Sequence, residues 1–453
     1  MNAVKNKDIF ENVPVAKAVR TMAVPTVIGQ LIILIYNMAD TFFIGRTNNP
    51  YMVAGASLIL PVFNICLSFA CLAGVGGGAL LSRLLGVGRE DEAERVYSFS
   101  VYLSLVIAAF FSLLVLLFMD PMLRLLGAGS ETFAYARMYA YCVVVFGGIP
   151  TILTNVFSNF VRSIGESGKA AFGVTMGGVI NIFLDPLFMF VLMQPGNEIL
   201  GAGIATCLSN CLSCLYFILL IRRMRSRCVL RLHSPAQLPG KQSIRQIFAT
   251  GVPSSVATLL FDMDYVVIDR LMSGYGDIPL AAVGIVLKAE RLPLNIGVGI
   301  CQGMVPLTAY NYSSGNHDRM RKIARFSLFS GIVCAVISIT LYELFAPQIM
   351  RFFIGDAETV ALGTSFLRIR CLATIFMFMS FYHVNLFNSY GRGQEALFLG
   401  VLRWAGFNIP MLFLLNRMMG MYGLVWSQLL ADILTVTVSL YVHRRFLKKN
   451  HIS

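Results

Sequence analysis

Runs of roughly twenty apolar residues, separated by short polar connections, recur along the whole chain. No other feature constrains the fold as much. A run of that length crosses the hydrocarbon of a bilayer as an α-helix, which rises about 1.5 Å per residue. Inside lipid the backbone must satisfy its own hydrogen bonds, so only helices and closed barrels can span it. A barrel would show segments of about ten residues with alternating polarity, and the chain reads otherwise. Only 13% of the 453 residues are charged, against about 25% in soluble domains. The expected fold is therefore an all-α integral membrane protein.

Twelve spans are expected, at about 20–44, 54–81, 95–119, 137–161, 171–193, 201–222, 247–272, 281–309, 323–347, 365–389, 395–416 and 421–443. The longest connection, "RRMRSRCVLRLHSPAQLPGKQSIRQ", is rich in Arg and contains Pro and Gly. It divides the chain into residues 1–222, a basic linker 223–246, and residues 247–453. The termini and even-numbered connections hold about 25 Lys and Arg, and the odd-numbered ones about 8. That bias predicts that both termini and the linker lie in the cytoplasm; the membrane expected is the plasma membrane of a bacterium. The N-terminal stretch "MNAVKNKDIFENVPVAKAVRT" shows no short apolar core with a cleavage site, so no signal peptide is expected.

The two halves repeat each other at an offset of about 227 residues. "AVPTVIGQ" aligns with "GVPSSVAT", Gly88 with Gly315, "RSIGESGKAAF" with "NSYGRGQEALF", Asn181 with Asn408, and "GAGIATCLSN" with "GLVWSQLLAD". Each half holds an even number of spans, so both enter the membrane from the same side. The expectation is two six-helix bundles related by a pseudo-twofold axis along the membrane normal. A cleft between such bundles suits alternating access.

Composition and spacing also exclude functions. The net charge of +13 lies in connections and no soluble basic domain carries it, so no nucleic-acid partner is expected. Cys207, Cys211 and Cys214 share a helix without His or acidic company, which reads as packing rather than metal binding. No disulfide framework is implied. The five His are scattered, and no nucleophile meets a base at one depth, so the chain is not expected to be an enzyme.

Polar groups within the spans are the informative exceptions, because a charge at membrane depth is expensive and faces inward. Asp40 lies in span one. Asn181 and Asp185 lie in span five at i, i+4, on one face. Pro186 follows, which should bend the helix and free the carbonyl of Ile182. Thr206 and Asn210 share a face of span six. These are oxygen ligands, suited to a hard cation such as Na⁺. A carboxylate among apolar groups also suits a proton carrier. Tyr36, one turn before Asp40, is an expected hydrogen-bond partner. The repeat places Ile268 opposite Asp40 and Leu412 opposite Asp185, so the acidic site is not duplicated. The second half instead carries Asp262, Asp264, Lys288, Glu290, Arg291, His383, Arg403 and Asp432 within spans. An ion-pair cluster holding the bundle together is expected there, with Asp262 and Asp264 as candidate substrate contacts and His383 as a packed polar residue. Met38, Phe42, Phe157 and Met263 are candidate liners of a substrate cavity.

These residues carry a family resemblance. "VPTVIGQLIILIYNMADTFFIGR", "GALLSRLLGVGREDEA", "FVRSIGESGKA", "INIFLDPLF" and "GAGIATCLSN" resemble, in order and over nearly the whole chain, the multidrug and toxic compound extrusion (MATE) transporters, in their DinF-like branch. The resemblance implies export of amphipathic, often cationic, compounds in exchange for Na⁺ or H⁺. It implies that Asp40, Asn181, Asp185 and Thr206 surround the coupling cation. No cofactor besides that ion is implied. The expected partners are small organic cations and membrane lipid, and the expected state is a monomer. A flippase for lipid-linked precursors, from the same wider superfamily, is the rival reading. It would need cations in its cleft for a pyrophosphate, where this chain places acids.

Overall fold

The computed structural model describes residues 4–225, 228–234 and 237–450, with side chains at all of these except 4–6 and 261–264. The expected substrate contacts Asp262 and Asp264 and the expected cavity liner Met263 have side chains outside the described residues. Among the described residues the secondary structure is helical throughout.

Ten single helices are long and apolar enough to cross a membrane: Val15–Gly45, Pro50–Gly86, Glu90–Leu117, Ser167–Leu192, Glu198–Met224, Lys241–Tyr275, Asp277–Ser313, His317–Phe353, Gly393–Met419 and Met421–Lys449. Two bent pairs, Ser130–Phe146 with Gly148–Ser163 and Ala357–Cys371 with Thr374–Ser389, complete the expected twelve as spans four and ten. The bends are 45° and 44°. They fall at equivalent places in the two halves, so even the irregularities of the fold are duplicated. Two pairs of aligned glycines behave the same way. Gly88 and Gly315 have φ of 75° and 78°, and Gly165 and Gly391 have 90° and 74°. That left-handed conformation favours residues without a Cβ, which is why glycine recurs at these turns.

Packing is reciprocal between the halves. Span one lies against span eight, and span two against span seven. Small residues allow the approach. A Cβ on Gly299 would stand 2.6 Å from Cα of Val27, and one on Gly303 2.6 Å from Cα of Ala23. At the equivalent place in the other interface, a Cβ on Gly76 would overlap the carbonyl of Ile247. The hydrogen bonds described between the halves reach from the basic connections as far as Gln30 Nε2 to Gln302 Oε1 at 3.1 Å, Ser255 Oγ to the Ser68 carbonyl at 2.6 Å and Thr258 Oγ1 to Cys71 Sγ at 3.8 Å. The molecule is thus closed at the end that carries the Lys- and Arg-rich connections, called the basic end below.

Spans one and seven each serve both halves. Ala18, Val19, Met22 and Ala23 are buried in a core built mainly from spans eight, nine and ten, whereas Ile44, at the far end of the same helix, belongs to the first-half core. Ile247 packs into the first-half core and Ile268 into the second. The far end of span one, with Asp40, therefore sits in the first half while its near end is held by the second.

Candidate cation site in the first half

Asp185 is fully buried and Asn181 nearly so. Their i, i+4 spacing is realised as a hydrogen bond, Asn181 Nδ2 to Asp185 Oδ1 at 3.0 Å. The same amide nitrogen reaches Thr206 Oγ1 at 3.4 Å. The chain stays helical through Pro186 and widens into a π-helical turn over Leu187–Leu192. The expected bend is taken up by that widening, a common device where a helix serves a site. Span six nests against it. A Cβ on Gly201 would lie 2.8 Å from the carbonyl carbon of Phe188, and one on Gly203 2.8 Å from Cβ of Cys142. The glycines of "GAGIAT" thus let span six approach spans four and five closely enough for Thr206 to meet Asn181.

Asp40 is half-buried, and its Oδ2 accepts a hydrogen bond from the Tyr139 hydroxyl at 3.4 Å. Tyr36 packs over Gly178, one turn before Asn181, where an added Cβ would stand 2.8 Å from its ring. The donor to Asp40 is therefore Tyr139 of span four, while Tyr36 lies alongside. Asp40 and Asp185 are close enough for their charges to act on each other, and both tyrosine hydroxyls sense both carboxylates. Three buried oxygens, Asp40 Oδ1, Asn181 Oδ1 and Asp185 Oδ2, have no donor from the protein. Among the described residues no Lys or Arg forms an ion pair with either acid. Two like charges at this depth repel, and a shared proton or metal cation relieves them. Tyr139 carried no signal in the sequence. It is one aromatic residue among many, and its partner lies 99 positions away.

The second half treats the equivalent positions differently. Ile268 and Leu412, opposite Asp40 and Asp185, are buried in an apolar core. Asn408, opposite Asn181, donates to Gln428 Oε1 at 3.2 Å, and Gln428 occupies the place of Thr206. Gln428 Nε2 donates to Asp432 Oδ2 at 2.6 Å, and Asp432 is gripped by Arg403 at 2.6 and 3.2 Å. Arg403 also lies over the rings of Trp404 and Phe381, 4.2 and 4.7 Å from their centroids.

The expected single charge cluster is corrected to two separate buried ion pairs. The second joins Glu290 to Arg370, with both guanidinium contacts at 2.9 Å. Lys288 and Arg291 are exposed, and Arg291 lies over the ring of Tyr265. They lie on other faces of the span-eight helix than Glu290, which turns inward to Arg370. His383 is buried and packed, its Nδ1 2.7 Å from the Met379 carbonyl. Met38 and Phe42 are exposed. Phe157 is buried at 5% exposure within the first-half core. The ten cysteines are unpaired.

These features define a duplicated helical membrane protein with a one-sided acidic site. The MatE family model matches the chain twice, over residues 25–187 and 253–414. Multidrug export protein MepA of Staphylococcus haemolyticus is 30% identical over 434 residues, covering 96% of this chain and 94% of that protein. The MepA of Staphylococcus aureus is similar to the same degree. In fold, the chain is similar to an outward-facing multidrug resistance MATE family transporter of the MOP superfamily (TM-score 0.93, 21% identity, 99% of each chain covered). It is also similar to a MOP superfamily transporter from Pyrococcus furiosus with a binding pocket of reversed polarity (TM-score 0.88, 21% identity, 96% and 97% covered). The chain belongs to the MATE family and is a multi-pass membrane protein.

Proposed function

We propose that this protein exports small amphipathic compounds, organic cations among them, in exchange for Na⁺ or H⁺. The observation that carries this reading is the first-half pair of carboxylates with three donorless buried oxygens and, among the described residues, no basic side chain paired to them. Buried charges are stable only when paired or coordinated. A cation, as proton or as Na⁺, supplies what the protein leaves out there. The cargo class follows the relatives named multidrug export proteins, 30% identical over almost the whole length. An acidic site favours cationic cargo over the pyrophosphate of a lipid-linked precursor.

In this reading the halves on either side of the linker 223–246 move as units in the plasma membrane. Both termini and the linker face the cytoplasm, because the Lys and Arg excess is there. Binding of the cation to Asp40, Asn181 and Asp185, with Thr206 and Tyr36 beside them, favours one access state through its different affinity in the two states. That difference reaches the cleft along span one, whose far end carries Asp40 and whose near end packs in the second half. Drug leaves on the outside, and cation release inside resets the cycle. No cofactor besides the coupling ion takes part, no bond is broken, and a single copy suffices.

The test is reconstitution in liposomes with a Na⁺ gradient or a pH gradient imposed separately. Efflux of a fluorescent organic cation is followed for the native chain, Asp40→Asn and Asp185→Asn. Native efflux under one gradient and its loss in both variants is expected. Variants that pump like the native chain under either gradient would overturn the coupling site. Movement of lipid precursor without any drug would replace the exporter with the flippase.

A further inference from the structure

The basic end is closed by more than the spans. A short helix, Val4–Glu11, precedes span one and lies across the junction of the two halves. Its Phe10 is buried at 2% exposure. On one side Phe10 stacks on Tyr310 of span eight, with ring centroids 4.7 Å apart. On the other side it rests on Gly165, in the connection of spans four and five, where an added Cβ would stand 3.2 Å from the ring.

The end of this helix is held by second-half side chains. Arg319 donates from Nε to the Phe10 carbonyl at 2.6 Å, and from Nη2 to those of Val13 at 2.6 Å and Ile9 at 3.3 Å. Asn311 Nδ2 adds a bond to the Phe10 carbonyl at 3.1 Å. The Tyr310 hydroxyl donates to Glu11. A guanidinium at a helix C-terminus binds unpaired carbonyls and favours the negative end of the helix dipole. First-half contacts are fewer and include an exposed pair, Lys7 Nζ to Glu90 at 3.3 Å. The helix is covalently part of the first half, yet its polar grip belongs mostly to the second.

The repeat strengthens the point. Glu92 stands where Arg319 stands in the other half, and it accepts a hydrogen bond from Ser243, at the start of span seven. Each lead-in to a half's first span is therefore gripped by the opposite half, at aligned positions.

We propose that Tyr310, Asn311 and Arg319 form a latch on the leading helix, and that the basic end opens only when this latch lets go. The inference rests on the alternating-access reading above. It assigns the inner gate to a segment outside the twelve spans.

The test uses the full chain in a cysteine-free background, with spin labels at Arg46→Cys and Gly355→Cys, on far-end connections of opposite halves. The distance distribution between them reports whether the far end is open or closed. Arg319→Ala, which loses charge-assisted bonds, should raise the closed-far-end fraction by about tenfold or more, and Asn311→Ala, which loses one neutral bond, by about fivefold. Lys322→Ala, which breaks only an exposed pair with Asp318, should leave it unchanged. In a second preparation, Glu11→Cys is joined to Tyr310→Cys by a short bis-methanethiosulfonate, which forms a disulfide with each thiol by expelling methanesulfinate and is cleaved by reduction. The joined protein should keep its far end open and stop exporting, and cleavage of the bridge should restore both. Unchanged distributions in Arg319→Ala and Asn311→Ala would overturn the latch. So would a joined protein whose far end still closes, a result that does not depend on how well the alanine variants fold. The distances need neither drug nor gradient. A protein whose latch variants shift the distribution but which exports nothing keeps the latch and loses the exporter reading.

Discussion

An asparagine on span five donates to a span-six hydroxyl in the first half, and the aligned asparagine on span eleven donates to a span-twelve amide in the second. From that shared bond the halves diverge. In the second, the chain of bonds runs through Gln428 to Asp432 and ends on Arg403, so the buried charge is matched inside the protein. In the first, it ends on Asp185, near Asp40, with oxygens left over. The same scaffold is thus closed on one side and open on the other. A buried pair is expensive to break but adds little over an apolar core, so the second half spends its charges on register. The first leaves its two acids without a basic partner among the described residues.

The largest effect should fall on transport. Asp185→Asn or Asp40→Asn removes one acid of the open side, and gradient-driven efflux should drop by about 100-fold, the scale of removing one preorganised electrostatic partner. Thermal unfolding of the same variants should be unchanged or slightly raised, since each relieves like-charge repulsion. A variant that unfolds earlier and still pumps would move these acids from function to structure.

The second half should respond in the opposite sense. Arg403→Leu leaves Asp432 buried without its cation and should cost about 3–5 kcal/mol, seen as a lower midpoint in detergent unfolding. Adding Asp432→Leu should recover most of that loss, because an apolar pair of similar volume can replace a buried ion pair. Gln428 Nε2 also bonds Asp432, so failure of the double substitution to recover stability would mean that the amide depends on Asp432 as much as Arg403 does.

The glycine contacts test whether the closed end is as symmetric as it looks. Gly303→Ala places a Cβ 2.6 Å from Cα of Ala23, and Gly76→Ala drives one into the carbonyl of Ile247. Each should cost about 1–3 kcal/mol through overpacking, and the two costs should be similar. A large difference, measured by unfolding of purified protein, would mean that one interface gives way more easily.

How much of this was legible follows from how local each feature is. The twelve spans were readable because lipid imposes a length on each helix, and both bent spans still carry enough apolar residues to count as one. The Asn181–Asp185 bond was readable because its partners are one turn apart. Glu290 was assigned to a cluster with its neighbours Lys288 and Arg291, but its partner Arg370 lies 80 positions away. Nothing local encodes that choice. Phe157 was less legible for another reason. An apolar residue in a span can face lipid, cleft or core with the same sequence pattern, and only packing assigns it.

Tyr139 gives the smallest and sharpest test of the open side. It is the donor that holds Asp40, and its counterpart position in the second half faces no carboxylate, since Ile268 replaces Asp40 there. Tyr139→Phe keeps the ring and removes only the hydroxyl. A neutral donor to a charged group is worth about 1.5–3 kcal/mol when intact, but Asp40 is half-buried and water can replace part of it. Efflux should therefore fall by about 3–10-fold, well short of the loss in Asp40→Asn. The coupling-ion concentration needed for half-maximal efflux should change with it, because the hydroxyl and the cation compete for the same carboxylate. If Tyr139→Phe lowers the rate without moving that concentration, the tyrosine only positions span four and is not part of the cation site.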